Sequence, residues 1–193
     1  MLKSPIISNR IYGMLLAYLS QIPDQRTPQG RLFDLPHLLL FSIVAIASGA
    51  DSYRKIAIFI EEHFHLLQET YAHSWKRPPS YNSIRHVIHG LNQKETEKVF
   101  RAYAKQITAF AKDKLTTVSL DGKALKHSFD NVADERFRQI LSAFSPEHNI
   151  VLAHEQVGIS KENEINAAIT LMKALNMDNV IYTLDALHTQ KNA

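Results

Sequence analysis

Two stretches decide the fold: Thr117-Val118-Ser119-Leu120-Asp121-Gly122-Lys123 and Thr183-Leu184-Asp185-Ala186-Leu187. Each is a β-branched, apolar run that closes on a lone aspartate followed by a small residue, the pattern of a strand running into a turn. Between them, Gln139–Phe144 and Ile150–Val157 read as two further strands, with Ser145-Pro146-Glu147-His148-Asn149 as the turn. A connection that short favours an antiparallel hairpin. Asn163–Leu175 has helical spacing, with Ile165, Ala168, Ile169, Met172 and Leu175 on one face, and residues 179–185 form the last strand. The order is β-β-β-α-β. A helix between two strands is the crossover that parallel pairing needs. If the last strand lies parallel beside the first, Asp121 and Asp185 project from one rim of the sheet, where ligands of α/β sheets bind.

Adjacent aspartates repel, which favours a shared proton or a bound cation. Hard oxygen ligands with room for water suit Mg²⁺ or Mn²⁺, and such a site supports phosphodiester chemistry. The plainer reading of an aspartate before Gly or Ala is a turn residue.

Upstream of residue 116 the period is helical. Ile11–Ser20 reads as a short helix and residues 21–34 as a polar connector containing Pro23, Pro28 and Gly30. Leu35–Ser48 reads as a buried helix ended by Gly49. Asp51 or Ser52 caps one helix carrying Tyr53, Ile56, Ile60, Phe64 and Leu67. Trp75–Pro79 breaks the pattern, Ser80 caps Tyr81–His89, and Asn92 with Glu95 opens a helix to about Lys112 that buries Val99, Tyr103, Ile107 and Phe110. The fold class is therefore α+β, with a helical domain over residues 1–115 and a sheet-containing domain over 116–193.

Charge follows that division. Residues 1–116 carry 15 Lys/Arg against 9 Asp/Glu, whereas residues 117–193 carry 7 against 10. A basic front half suits a polyanion, although solvated helix faces give the same balance. The chain has no cysteine, which excludes disulfides and thiolate metal sites and suits a cytoplasmic protein. Its first residues lack the apolar core of a signal peptide, and Leu35–Ala50 is too short to span a bilayer, so no membrane partner is expected. No GxGxxG, P-loop, HExxH or GxSxG motif occurs.

Several segments together resemble DDE transposases of bacterial insertion sequences, in the H-repeat-associated branch. Leu120-Asp121-Gly122-Lys123-Ala124-Leu125-Lys126 is similar to the start of their catalytic domain. Leu141-Ser142-Ala143-Phe144, Ser160-Lys161-Glu162-Asn163-Glu164-Ile165 and Thr183–Lys191 resemble later segments of it. Leu38–Tyr53 and the stretch from Pro79-Ser80 resemble the helical domain that precedes the core, so the likeness covers roughly residues 20–193. It implies an RNase H-like core, with Asp121 and Asp185 as the first two acids of a DDE triad holding two Mg²⁺ or Mn²⁺ ions. The implied substrate is DNA, both the terminal repeats of the element and its target, with an intact transposase as a possible oligomeric partner. The family's third acid is a glutamate on a later helix, with no counterpart before Ala193. The resemblance therefore implies a truncated chain that is inactive in strand transfer on its own.

Glu164 is a substitute for the third acid or a first-turn residue favoured by the helix dipole. Lys123, Lys126 and Lys191 flank the aspartates, where they contact phosphate or lower the carboxylate pKa values. His127 and His188 also fall near the acids, as metal ligands or as surface residues. Lys76-Arg77-Pro78-Pro79, followed by a helix carrying Arg85, His86 and His89, reads as a DNA-contacting turn and helix or as a solvated amphipathic helix. The rival to catalysis is a DNA-binding or transposase-inhibiting role for the helical domain.

Overall fold

The computed structural model describes residues 13–108, 115–124, 139–157 and 161–184, apart from the side chains of Ala124 and of residues 161–164. The chain forms two compact units, Met1–Val99 and Phe100–Ala193. The division falls inside a helix, ahead of the change of period near residue 116, and Val99 of that helix belongs to the core of the first unit.

In the first unit, α1 covers 13–19, and a 3-10 turn at Pro28–Gly30 leads to α2 at Leu35–Ala47. The side chain of Asp34 caps α2 by accepting the His37 amide, and Pro36 sits in the first turn, where its missing N–H costs nothing. The other end closes through Ala50 N to Ala45 O at 2.9 Å and Gly49 N to Ile46 O at 2.9 Å. Gly49 lies at φ +99°, a conformation glycine adopts without a Cβ clash. Although Pro28–Ala47 is apolar and long enough to cross a membrane by composition, α2 itself has 13 residues. It is the core helix of the unit, with Leu38, Leu40, Phe41 and Ala45 fully buried.

The single helix expected from Tyr53 is two: α3 at Tyr53–Glu62 and α4 at Phe64–Tyr71. His63 leaves helical geometry between them (φ −103°, ψ 12°), stacks on Phe59 at 4.4 Å and hydrogen-bonds the Phe59 carbonyl through Nδ1 at 2.9 Å. Ile60 and Leu67 then meet one core despite the break. Of the two candidate caps, Ser52 serves α3, accepting the Lys55 amide. Ser80 caps α5 (Tyr81–His89) through the Ser83 amide, and Asn92 Oδ1 accepts the Glu95 amide at 3.2 Å ahead of α6 (Gln93–Thr108).

The second unit holds β1 (Thr116–Ala124), β2 (Gln139–Ser145), β3 (Ile150–Val157), α7 (Lys161–Leu175) and β4 (Val180–Leu184). The sheet order is β3-β2-β1-β4. β1/β2 and β2/β3 are antiparallel, and β1/β4 is parallel, as the helical crossover requires. One face buries Val118, Leu120, Leu141 and Ala143 against Ala167, Ala168 and Leu171 of α7. Of the expected face of the crossover helix, Ala168, Met172 and Leu175 pack against this core, whereas Ile165 and Ile169 are exposed. Two alanines let the α7 backbone come close to the sheet, and that sets which stripe turns inward. In α6, Val99 and Ala104 are buried while Tyr103 and Ile107 are half-buried; Phe110 lies outside the described residues. The described residues thus form a mixed α+β structure with one four-stranded mixed sheet.

Candidate functional site

Parallel pairing of β1 and β4 sets Ser119 beside Thr183 and Leu120 beside Leu184, the last pair among the described residues. Asp121 is the next residue of β1, and Asp185 is the next residue of the chain after Leu184. Asp121 does not end its strand, as the sequence pattern suggested. β1 runs on to Ala124, and Asp121 is paired across to Ser142 of β2. Its carboxylate therefore emerges from within the sheet, one residue beyond the last described β1/β4 pair.

Side chains alternate across a strand, so Asp121 points away from the core face that carries Leu120. On this open face Ser119 Oγ and Thr183 Oγ1 share a hydrogen bond of 3.0 Å, one pleat behind Asp121. On the other flank, Ser142 is paired to His154 of β3, and Ser142 Oγ hydrogen-bonds His154 Nδ1 at 3.0 Å. Asp121, Ser142 and His154 therefore form one row across three strands. Phe100 stacks on His154 with ring centroids 5.7 Å apart and planes at 19°. Arg101 donates to the His154 carbonyl, and to Glu155 Oε2 at 3.1 Å, which ties α6 to the β3 edge. The row was not legible in the sequence, because strand register is needed to bring Ser142 between the other two.

Asp121 is open to solvent, with its side chain 62% exposed, and its near cation is Lys123, whose Nζ lies 3.6 Å from Oδ2. An ion pair this exposed contributes little to stability, so the carboxylate is accessible to an incoming cation. Asp185, Lys126, His127, His188 and Lys191 lie outside the described residues, as does the side chain of Glu164 at the start of α7. Among the described residues, no group of three or more His, Cys, Asp or Glu forms a metal cluster. Asp121 supplies one hard oxygen donor group, which fits a divalent cation as part of a larger ligand set.

The first unit carries a cluster that the sequence pattern did not signal. Asp34 Oδ2 pairs with His37 Nδ1 at 2.6 Å, and Asp34 Oδ1 accepts the Trp75 indole N–H at 2.7 Å. Burial works to raise the Asp34 carboxyl, but the His37 and Trp75 hydrogen bonds outweigh it and hold the pKa at about 2. The Asp34 hydrogen bond raises the pKa of His37 against the effect of burial. His73, 6.1 Å away ring to ring, is lowered first by burial and then by the charge of His37. The motif Asp34-Leu35-Pro36-His37 announces a helix start; its partners at 73 and 75 come from tertiary packing alone.

In the same unit, Lys76, Arg77, Arg85, His86 and His89 are all exposed, as the amphipathic reading of α5 expected, while Ile84 and Val87 are buried.

Residues 16–104 match the family described as DDE_Tnp_1-associated. The chain is 29% identical over 178 residues to "H repeat-associated putative transposase YhhI" of Escherichia coli (strain K12), which covers 92% of this chain and 46% of that protein. It is 30% identical over 178 residues to "Putative protein YbfL" of the same strain, covering 92% and 46%. "H repeat-associated putative transposase YbfD", also from that strain, is 28% identical over 178 residues, covering 92% of this chain and 69% of its own length. The chain spans about half the length of the first two relatives. No solved structure matches it. With residues 16–104 matching the DDE_Tnp_1-associated family and 92% of its length aligning with these relatives, the chain is similar to H-repeat-associated putative transposases.

Proposed function

We propose that this chain carries the first part of a DDE transposase core, with DNA as substrate and Asp121 and Asp185 as two of its metal-binding acids. The observation that carries the reading is the parallel β1/β4 register, which pairs Leu120 with Leu184, the residues that immediately precede the two aspartates in sequence. The order β3-β2-β1-β4, with α7 as crossover, is the arrangement expected of an RNase H-like core, and it supports that assignment. Mg²⁺ or Mn²⁺ held by Asp121 and Asp185 would supply activation of the attacking oxygen and stabilisation of the leaving 3′-oxygen in phosphodiester cleavage. Asp121 is suited to its part by exposure on the open face of the sheet. Lys123, on the same face two residues on, is placed to meet a DNA phosphate once a cation takes over the carboxylate.

The test is equilibrium binding of Mn²⁺ to the chain, compared with Asp121→Asn and Asp185→Asn. The reading expects each substitution to weaken binding at least about tenfold, since removing one anionic ligand from a site of few ligands lowers affinity steeply. Binding that is unchanged in both variants would overturn it.

A further inference from the structure

Between Glu69 and Glu95 the chain has no acidic residue, and that stretch holds Lys76, Arg77, Arg85 and Lys94 together with His73, His86 and His89. The structure folds most of it into one exposed surface built on α5. Ile84 and Val87 anchor the helix to the core, and the fully buried Ile84 fixes its rotation. Tyr81, Arg85 and His89 then form an i, i+4, i+8 stripe on the outer side, with Asn82 and His86 as the row beside it. All five are exposed. The start of α3 runs along the stripe: the Arg54 guanidinium lies 5.3 Å from the centre of the Tyr81 ring, and Tyr53 lies 6.0 Å from His89. Asp51 is the acid nearest in sequence to that helix start, and its charge is taken by Lys55 at 2.6 Å. Among the described residues, no carboxylate forms an ion pair with Arg54, Lys76, Arg77 or Arg85, and the turn bearing Lys76 and Arg77 is held by buried Trp75 and Pro79.

We propose that α5, with the Lys76-Arg77 turn before it and Arg54 beside it, is a surface that docks in the major groove of duplex DNA. The chemistry of the face selects the partner. Arginines and lysines on either side of a row of Asn, Arg and His match phosphates flanking base edges, for which Asn and Arg are the side chains with bidentate geometry. An α-helix about 10–12 Å across fits the B-DNA major groove, about 12 Å wide, whereas the deep, narrow groove of duplex RNA excludes it. The inference concerns the first unit alone and does not rest on the metal reading.

The experiment is fluorescence anisotropy of a labelled mixed-sequence DNA duplex of three helical turns, titrated with the full chain in EDTA at several salt concentrations. Four phosphate-contacting cations predict a log–log salt slope of about −3 to −4. Arg77→Ala with Arg85→Ala should weaken binding at least about tenfold and flatten the slope by about 1.8. The charge-conserving Arg85→Lys, which loses bidentate contact but keeps phosphate attraction, should retain the slope. Asp121→Asn should leave affinity within about twofold, so failure of this proposal and failure of the metal reading are separable. An unchanged affinity in the Arg77/Arg85 variant would overturn it. So would no binding at low salt, or tighter binding of a duplex RNA of equal length.

Discussion

Asp34 serves as helix cap and as counter-ion at once. Replacing it with Ala removes the acceptor for the His37 amide and leaves the Trp75 indole N–H without its partner. The expected cost is about 2 kcal/mol, the upper range for a lost cap. Asp34→Asn, an equally good cap, should recover more than half of it, as urea denaturation would show. The pH dependence has three parts. With its pKa held at about 2 against 3.8, Asp34 contributes stability above pH 3.8 that is lost as pH falls toward 2. His37 is raised, so its contribution is full below pH 6.5 and fades as pH rises through its folded value. His73 is lowered, first by burial, and its buried Nε2 has no hydrogen-bond partner among the described residues. The unfolded chain therefore takes up that proton first, and stability falls as pH drops below 6.5. His73→Asn, which keeps an acceptor for the Trp75 amide at the position of Nδ1, should shrink the loss of unfolding midpoint between pH 7 and pH 5. An unaltered pH profile would show that His73 is not the group responsible.

At the scale of the element, α7 separates what periodicity says from what packing decides. Several stripes of this helix are apolar, and helical spacing alone favoured the one with the bulky Ile165 and Ile169. The sheet keeps Ala168, Met172 and Leu175 of that stripe and adds Ala167 and Leu171 in place of the two isoleucines, because a crossover helix over β2 and β3 packs closest through small residues. Leu171→Ala should thus destabilise the second unit by about 3 kcal/mol, as for other buried leucine truncations, while Ile169→Ala should cost under about 1 kcal/mol. Equal effects in thermal unfolding would contradict this packing. The strands were legible where alternation was strict, as in Gln139–Ser145, whose buried positions alternate along the strand. The extent of β1 was not: Gly122 and Lys123 read as a turn, yet pairing with Leu141 and Ile140 keeps them in the ladder. Likewise the helix from Tyr53 looked continuous, since the break at His63 leaves the apolar period intact.

For the whole molecule, the sequence gives a helical front, a β-β-β-α-β back and the parallel pairing of the first and last strands, each set by period, turn length and crossover. It does not reveal the Asp121–Ser142–His154 row or the Asp34–His37–His73–Trp75 cluster, because both depend on register or tertiary contact between residues distant in the chain. Asp121 was found because a strand running into Asp-Gly is a local signal. The central claim, that a divalent cation is held at Asp121, beside the Leu120–Leu184 pair of β1 and β4, is tested most directly by paramagnetic broadening of backbone amide signals with substoichiometric Mn²⁺. The account predicts broadening centred on Leu120–Gly122 and Leu184 in the native chain, and its disappearance in Asp121→Asn. Broadening centred elsewhere, or persisting undiminished in Asp121→Asn, would contradict it.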